Sequence, residues 1–157
     1  MILKIKGTKL VEAVTAYRKA LESSRFTGYP VLGNFPFEAC DVASLLLATY
    51  LTSMGFGQFE CVKGRRRRRD RGRIRFHVWL EQNHTIIDIT ADQFQDGMGA
   101  VVVTNDRSWH DTFIQQTRWK NFVDFESDPE NFKSIYDEIV AEIGAVPPRA
   151  PGPVGRG

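Results

Sequence analysis

The sequence predicts an α+β domain: an antiparallel sheet against one central helix, with a further helix towards each end of the chain. Three observations predict it. Residues Glu38 to Met54 are apolar almost all round, the pattern of a helix enclosed by the core. Residues Ile74 to Gln82 and Thr85 to Thr90 are strand-like runs separated by Asn83-His84, the signature of a tight antiparallel hairpin. Amphipathic stripes lie near both termini.

The first stripe runs from Thr8 to Ser23, where Leu10, Val11, Val14, Tyr17, Ala20 and Leu21 recur at helical spacing between Lys, Glu and Arg. Gly28, Pro30, Gly33 and Pro36 mark the loop that follows. The central helix has Pro36 in its first turn, Glu38 and Asp41 at the positive end of its dipole, and Gly55 as its stop. Cys40 falls in or near that first turn. Gln58 to Lys63 reads as a short strand. In Ile74 to Gln82, Ile74, Phe76, Val78 and Leu80 form one face, and Arg75, His77, Trp79 and Glu81 the other. Gly97 to Gly99 marks a turn and Ala100 to Thr104 a fourth strand. Asp128-Pro129-Glu130 supplies a cap, a first-turn proline and a first-turn acid. The last helix follows, with Phe132, Ile135, Tyr136, Ile139, Val140 and Ile143 as its stripe and Gly144 as its end. Residues 145 to 157 hold four prolines and three glycines and read as a disordered tail. The domain organisation is therefore one domain, 1 to 144, and a tail.

With 157 residues and 42% hydrophobic content, the chain is long enough to bury a core without metals or disulfides. Its two cysteines, Cys40 and Cys61, read as free thiols in a reducing compartment. No apolar run reaches the roughly 20 residues that span a bilayer, and the N-terminus lacks the apolar stretch of a signal peptide. A cytoplasmic protein is expected, with export by a route needing no cleavable signal left open. His77, His84, His110 and the cysteines match no usual metal spacing, and Gly55-Phe-Gly57 is no phosphate loop. No metal or cofactor is expected.

Three residues carry chemistry in this reading. A cysteine at a helix N-terminus gains thiolate character from the helix dipole, although an isolated cysteine is more often buried and inert. His77 lies on the strand face away from the apolar residues. Asp88 lies among Ile86, Ile87 and Ile89, where a carboxylate must be paired. If the turn centres on Asn83-His84, His77 falls near residue 90, within about one pair of Asp88. Asp88 then either orients His77 or caps a turn through Thr90. The order nucleophile, base, orienting acid is that of a cysteine triad.

These segments, Phe35-Pro-Phe-Glu-Ala-Cys40-Asp-Val-Ala-Ser44, His77-Val-Trp79-Leu-Glu81 and Asp88-Ile-Thr90, resemble the transglutaminase-like branch of the papain-like cysteine enzymes. The resemblance covers about residues 34 to 94. No tryptophan follows Cys40 as in many members. The resemblance implies a core helix bearing Cys40 packed on an antiparallel sheet bearing His77 and Asp88, and a catalytic triad of these three. It also implies an oxyanion donor, a role that Asn34, six residues before Cys40, is spaced to take; Asn34 otherwise reads as a turn residue. Trp79 is expected to wall the substrate site. The implied activity is acyl transfer on an amide of a protein or peptide through a thioester: a protease, a glutamine deamidase or a transglutaminase.

Arg65, Arg66, Arg67, Arg68 and Arg69 are consecutive, in a segment 64 to 73 with seven arginines. It reads as a solvated loop leading into the His77 strand, able to steer an acidic substrate. No aromatic residues are interleaved, so nucleic acid is less favoured. The alternative to an enzyme is a non-catalytic binding module on a papain-like scaffold, contacting nucleic acid or an acidic protein through Arg65 to Arg75. The identity of the substrate, the acyl acceptor and the oligomeric state are not legible in the sequence.

Overall fold

A computed structural model describes residues 2–23, 26, 29–30, 32–67, 72–120, 127 and 131–145. It has an α+β architecture of three helices and one five-stranded antiparallel sheet. In chain order the elements are α1 (Ile2–Leu21), α2 (Cys40–Ser53), β1 (Glu60–Arg67), β2 (Ile74–Gln82), β3 (Thr85–Asp88), β4 (Val102–Thr104), β5 (Ile114–Lys120) and α3 (Phe132–Ala145). The strand order is β4-β3-β2-β1-β5. No described helix is long and apolar enough to cross a membrane.

α2 is the central helix the sequence predicts. Leu46, Leu47, Ala48 and Leu51 are buried in one cluster with Val78 and Leu80 of β2, Ile87 of β3 and Ile89. α1 and α3 close the other side of α2 through Val14, Tyr17, Leu21, Ile135 and Ile139. α2 ends as expected at Gly55, whose φ of 86° suits glycine. Phe56 N–H donates to Leu51 O and Gly55 N–H to Thr52 O, the pairing that satisfies the last carbonyls of a helix. Its start is later than expected. Glu38 has a φ of 57°, the Phe35–Pro36 bond is cis, and both lie in the preceding turns. Pro36 is therefore not in the first turn; Cys40 is the first helical residue, after an N-cap at Ala39 that makes no side-chain hydrogen bond.

The β2–β3 hairpin has the expected two-residue turn, with φ of 47° at Asn83 and 68° at His84, the left-handed pair of a type I′ turn. Leu80 faces Ile87 and Gln82 faces Thr85; continued by one step, this register sets Asp88 opposite Trp79, two residues from His77 and on the same face.

Other expectations need correction. α1 begins at Ile2 rather than Thr8 and ends at Leu21. β1 runs not from 58 to 63 but from Glu60 to Arg67. Arg65, Arg66 and Arg67 are thus strand residues, paired with Phe76, Arg75 and Ile74, not a loop. Pairing of all three with β2, and of Arg65 with Ile114 of β5 as well, outweighs the weak strand propensity of arginine. Arg68, Arg69, the 128–130 cap and the 146–157 segment lie outside the described residues. Ile74 and Phe76 are 46% and 53% exposed, so only Val78 and Leu80 of their face enter the core. β5 has no counterpart in the sequence reading.

Candidate active site

The sheet has two differently furnished faces, and the expected triad straddles them. Val78, Leu80, Ile87 and Ile89 face α2. By strand alternation, His77, Trp79 and Asp88 face the other way. There Val62, Trp79, Ile86, Phe94 and Phe113 form a second cluster, with Trp109 against it.

His77 is fully buried in an aromatic box. Phe94, Phe113, Trp79 and Trp109 have ring centroids 5.1, 5.3, 5.6 and 5.7 Å from its own. The box closes because β1 presents Gly64 opposite His77. A Cβ on Gly64 would lie 2.7 Å from the Cβ of Phe113, so only glycine admits that ring.

Nε2 of His77 lies 2.6 Å from Asp88 Oδ2, and Nε2 of His110 lies 2.8 Å from the same oxygen. Oδ1 of Asp88 accepts the Thr90 N–H at 2.9 Å. Both roles foreseen for Asp88 are therefore filled, one by each oxygen. Burial alone would raise its carboxyl, but His77 and His110 outweigh burial and hold it well below the usual carboxylate range. An ionised carboxylate only accepts, so each Nε2 carries a hydrogen; in a neutral imidazole of that tautomer Nδ1 is the acceptor. Nδ1 of His110 meets no partner among the described residues. Nδ1 of His77 receives Nε2 of Gln93 at 3.2 Å.

Cys40 lies on the α2 side of the sheet and is 8% exposed. The backbone N–H of Val78 and the side-chain amide of Gln93 both donate to its sulfur. Gln93 thus links the thiol to the acceptor nitrogen of His77, and no direct hydrogen bond joins Cys40 to His77 among the described residues. Burial first, then the charge of Asp41, push the Cys40 thiol up to about 12. The helix dipole was expected to lower it; here desolvation and the Asp41 carboxylate, which the thiol contacts at 3.5 Å, win. Cys61 is buried in the core beneath α2.

The segment carrying Gln93 is anchored from α1. Arg18, 5% exposed, donates to Ile89 O, to Ala100 O at 3.4 Å and to both carboxylate oxygens of Asp92 at 2.9 and 2.7 Å. Trp79 is fully buried and donates to Glu81 Oε1 at 2.8 Å. It is a wall, but one behind His77 and out of reach of solvent. Burial opposes the charge of Glu81, yet Arg118, Trp79 and Arg107 together hold its carboxyl below the ordinary range. Asn34 lies in the turns before α2 with an exposed side chain, its carbonyl accepting from Phe37 N–H at 2.8 Å. Arg66 closes the aromatic box: its guanidinium lies 4.5 Å from the Phe113 centroid and pairs with both carboxylate oxygens of Asp96 at 2.8 Å.

Ligand atoms of His77, Asp88 and His110 all lie within 4.8 Å of one another. Two donors about 2.1 Å from a tetrahedral metal stand about 3.4 Å apart. Separations of 2.6 and 2.8 Å are those of hydrogen bonds, and the three residues form a His–Asp–His set.

Gln93 and His110 were missed by sequence reasoning. Gln93 stands five residues after Asp88 and His110 in a later turn, and neither spacing signals a role. The sequence does hold one clue to His110, since a buried carboxylate with spare lone pairs calls for more than one donor. No family model, no curated protein and no solved structure matches the chain.

Proposed function

We propose that the chain is a cysteine-dependent acyl-transfer enzyme with a papain-like, transglutaminase-like core, acting on an amide of a protein or peptide. The observation that carries this reading is the polarity of His77. Asp88 takes the Nε2 hydrogen at 2.6 Å, so the lone pair of Nδ1 is turned towards Gln93, whose amide touches the Cys40 sulfur at the start of α2. That is the orientation a base needs to draw a proton from the direction of a thiol.

In the chemistry proposed, Gln93 turns aside and the Cys40 S–H proton passes to Nδ1 of His77. Sulfur bonds to the amide carbon. The carbonyl oxygen takes the negative charge, facing the N–H of Cys40 at the helix start, with the amides of Gln93 and Asn34 as further donors. The C–N bond then breaks, and the leaving nitrogen takes the proton from His77. Water resolves the thioester to an acid, or an amine resolves it to a new amide. Asp88 stays ionised throughout and stabilises the imidazolium; His110 holds the second side of the same oxygen. Because the resting thiol is neutral, the proton is transferred when substrate engages rather than in advance.

The burial and protonation of Cys40 favour a second reading, a non-catalytic module that contacts its partner through the arginine strand. One experiment separates the two: incubation with p-nitrophenyl acetate and peptide mass mapping. A catalytic site acetylates Cys40 in wild type and in Cys61→Ala, and slows by about a hundredfold or more in His77→Ala. Acetylation of Cys40 at the same rate without His77, or none in the folded wild type, overturns the enzyme reading.

A further inference from the structure

Beyond the start of α2 the sheet continues uncovered. Cys40, the first residue of α2, meets the sheet at the N–H of Val78. Phe76 and Ile74 share the face of Val78 but lie further along β2, with Phe76 about 7 Å on at about 3.3 Å per residue. Arg65 stands between Phe76 on β2 and Ile114 on β5, Arg67 opposite Ile74, and Lys63 opposite Val78. Phe76, Ile74 and Ile114 are 53%, 46% and 58% exposed. A contiguous exposed apolar floor edged by polar groups marks a place of contact.

The cations on this face differ from their neighbours. Arg66, which points to the other face, pairs with Asp96. Arg107 and Arg118 pair with Glu81. Among the described residues Arg65 and Arg67 have no carboxylate partner, and Lys63 lies 5.0 Å over the Phe76 ring. Three positive side chains thus surround apolar area that no element of the described fold covers.

We propose that Lys63, Arg65 and Arg67 of β1, Ile74 and Phe76 of β2 and Ile114 of β5 form the docking surface for an acidic, aliphatic-rich segment of the polypeptide substrate, laid across the sheet beside Cys40. This rests on the acyl-transfer reading for its link to the thiol. Carboxylates answer Lys63, Arg65 and Arg67, and aliphatic side chains answer Ile74, Phe76 and Ile114. β5 is an edge strand, so an extended segment also meets open backbone groups there. A nucleic acid suits the surface less well: it needs stacked rings along its path, and this floor offers two isoleucines and one phenylalanine.

The test uses the full chain carrying Cys40→Ala, so that binding is read without turnover. Three fluorescent probes are compared by anisotropy: a peptide alternating Glu and Leu around a central Gln, the same peptide with Lys for Glu, and oligo(dT). The acidic peptide is expected to bind saturably and at least about tenfold tighter than the basic one. Arg65→Glu with Arg67→Glu should remove about tenfold or more of that affinity, and Lys9→Glu on α1 should leave it unchanged. Phe76→Ser and Ile114→Ser, at exposed positions that the core does not need, should each weaken binding if the charge-reversed protein fails to fold. Absence of saturable binding, equal binding of both peptides, or indifference to all these substitutions overturns the proposal. So does tighter binding of oligo(dT) lost with the same arginines, which makes the face a nucleic-acid site. Acetylation of Cys40 by p-nitrophenyl acetate in the otherwise unaltered chain is scored separately. If acetylation holds and the peptide does not bind, the surface alone is wrong. If the peptide binds and Cys40 is inert, the catalytic reading fails and with it the role of the surface as a substrate site.

Discussion

The two faces of the sheet are built from different materials. Under α2 the contacts are aliphatic: Leu46, Leu47, Leu51, Val78, Leu80, Ile87 and Ile89. The polar side chains there turn to backbone carbonyls, as Ser44 does to Val78 O and Tyr17 to Ala43 O, each at 3.3 Å. On the opposite face, aromatic rings enclose Asp88, His77 and His110, and every bond in the set has a definite direction. Aliphatic packing tolerates exchange of one shape for another. A buried carboxylate held by two imidazoles does not, since each missing partner leaves a desolvated polar group behind. The first face makes the fold; the second fixes the angle of one ring.

The largest expected effect that sharpens this contrast is at Asp88. Asp88→Ala removes the partner of His77, His110 and the Thr90 N–H at once, and should cost about 3–5 kcal/mol in urea unfolding. Leu47→Ala should cost about 2–5 kcal/mol by leaving a cavity, while leaving the imidazole resonances of His77 in NMR spectra unchanged in the fraction that folds. A loss below about 1 kcal/mol at Asp88 would mean that the network is slack and that the contrast is misplaced.

Next in size is Gly64→Ala, which sets a Cβ 2.7 Å from that of Phe113 and should cost about 1–3 kcal/mol by overpacking. The sharper readout is the ring itself: displacement of Phe113 should shift the imidazole resonances of His77 in NMR spectra. Unchanged resonances would show that the box does not set the ring.

The pH dependence of stability tests the two faces from opposite ends. Asp88 is ionised more readily folded than unfolded, so its contribution is full above the unfolded value of about 3.9 and fades as acid protonates the folded carboxylate. Stability should fall more steeply below about pH 4 in wild type than in Asp88→Asn. Cys40 behaves conversely. Its folded thiol titrates at about 12 against about 8.5 unfolded, so its contribution is full below about 8.5 and is lost as pH rises towards 12. Iodoacetamide should therefore modify Cys40 slowly at neutral pH and faster as pH climbs, measured on its tryptic peptide. Rapid labelling at pH 6 would show a thiolate already formed, which the Cys40 environment described here does not support.

The smallest effect is at Arg66. Its guanidinium stacks on the box, but its partner Asp96 is 59% exposed, and solvent screens the pair. Arg66→Ala should cost about 0.5 kcal/mol. A loss several times larger would make Arg66 part of the box rather than its cover.

Some of this was legible in the chain. Asn83-His84 fixes a two-residue turn, the turn fixes the register, and the register sets Asp88 on the face of His77 as its diagonal neighbour. The apolar run after Cys40 gives the central helix because few other arrangements bury it all round. β5 was not legible: Ile114 to Lys120 is almost wholly exposed, so burial imposes no alternation on it. Nor was the strand character of Arg65 to Arg67, which depends on pairing with Phe76, Arg75 and Ile74 of β2. The pairing of His77 with Asp88 was readable because the two lie on adjacent strands. Gln93 and His110 were not, since each reaches the site from a short turn whose path is set by tertiary contacts such as those of Arg18.

Gly64 has one more consequence. The stretch from Arg65 onward repeats one side chain, and a repeated side chain cannot tell a strand where to stop sliding along its neighbour. A slip by one residue would exchange the faces of Arg65 and Arg66 and leave the local chemistry unchanged. The slip is blocked at the one position without a side chain, because only there can Phe113 pass. The alignment of an otherwise uninformative sequence, and with it which cations share the face of Val78 and which look towards Asp96, is thus written in a missing methyl group.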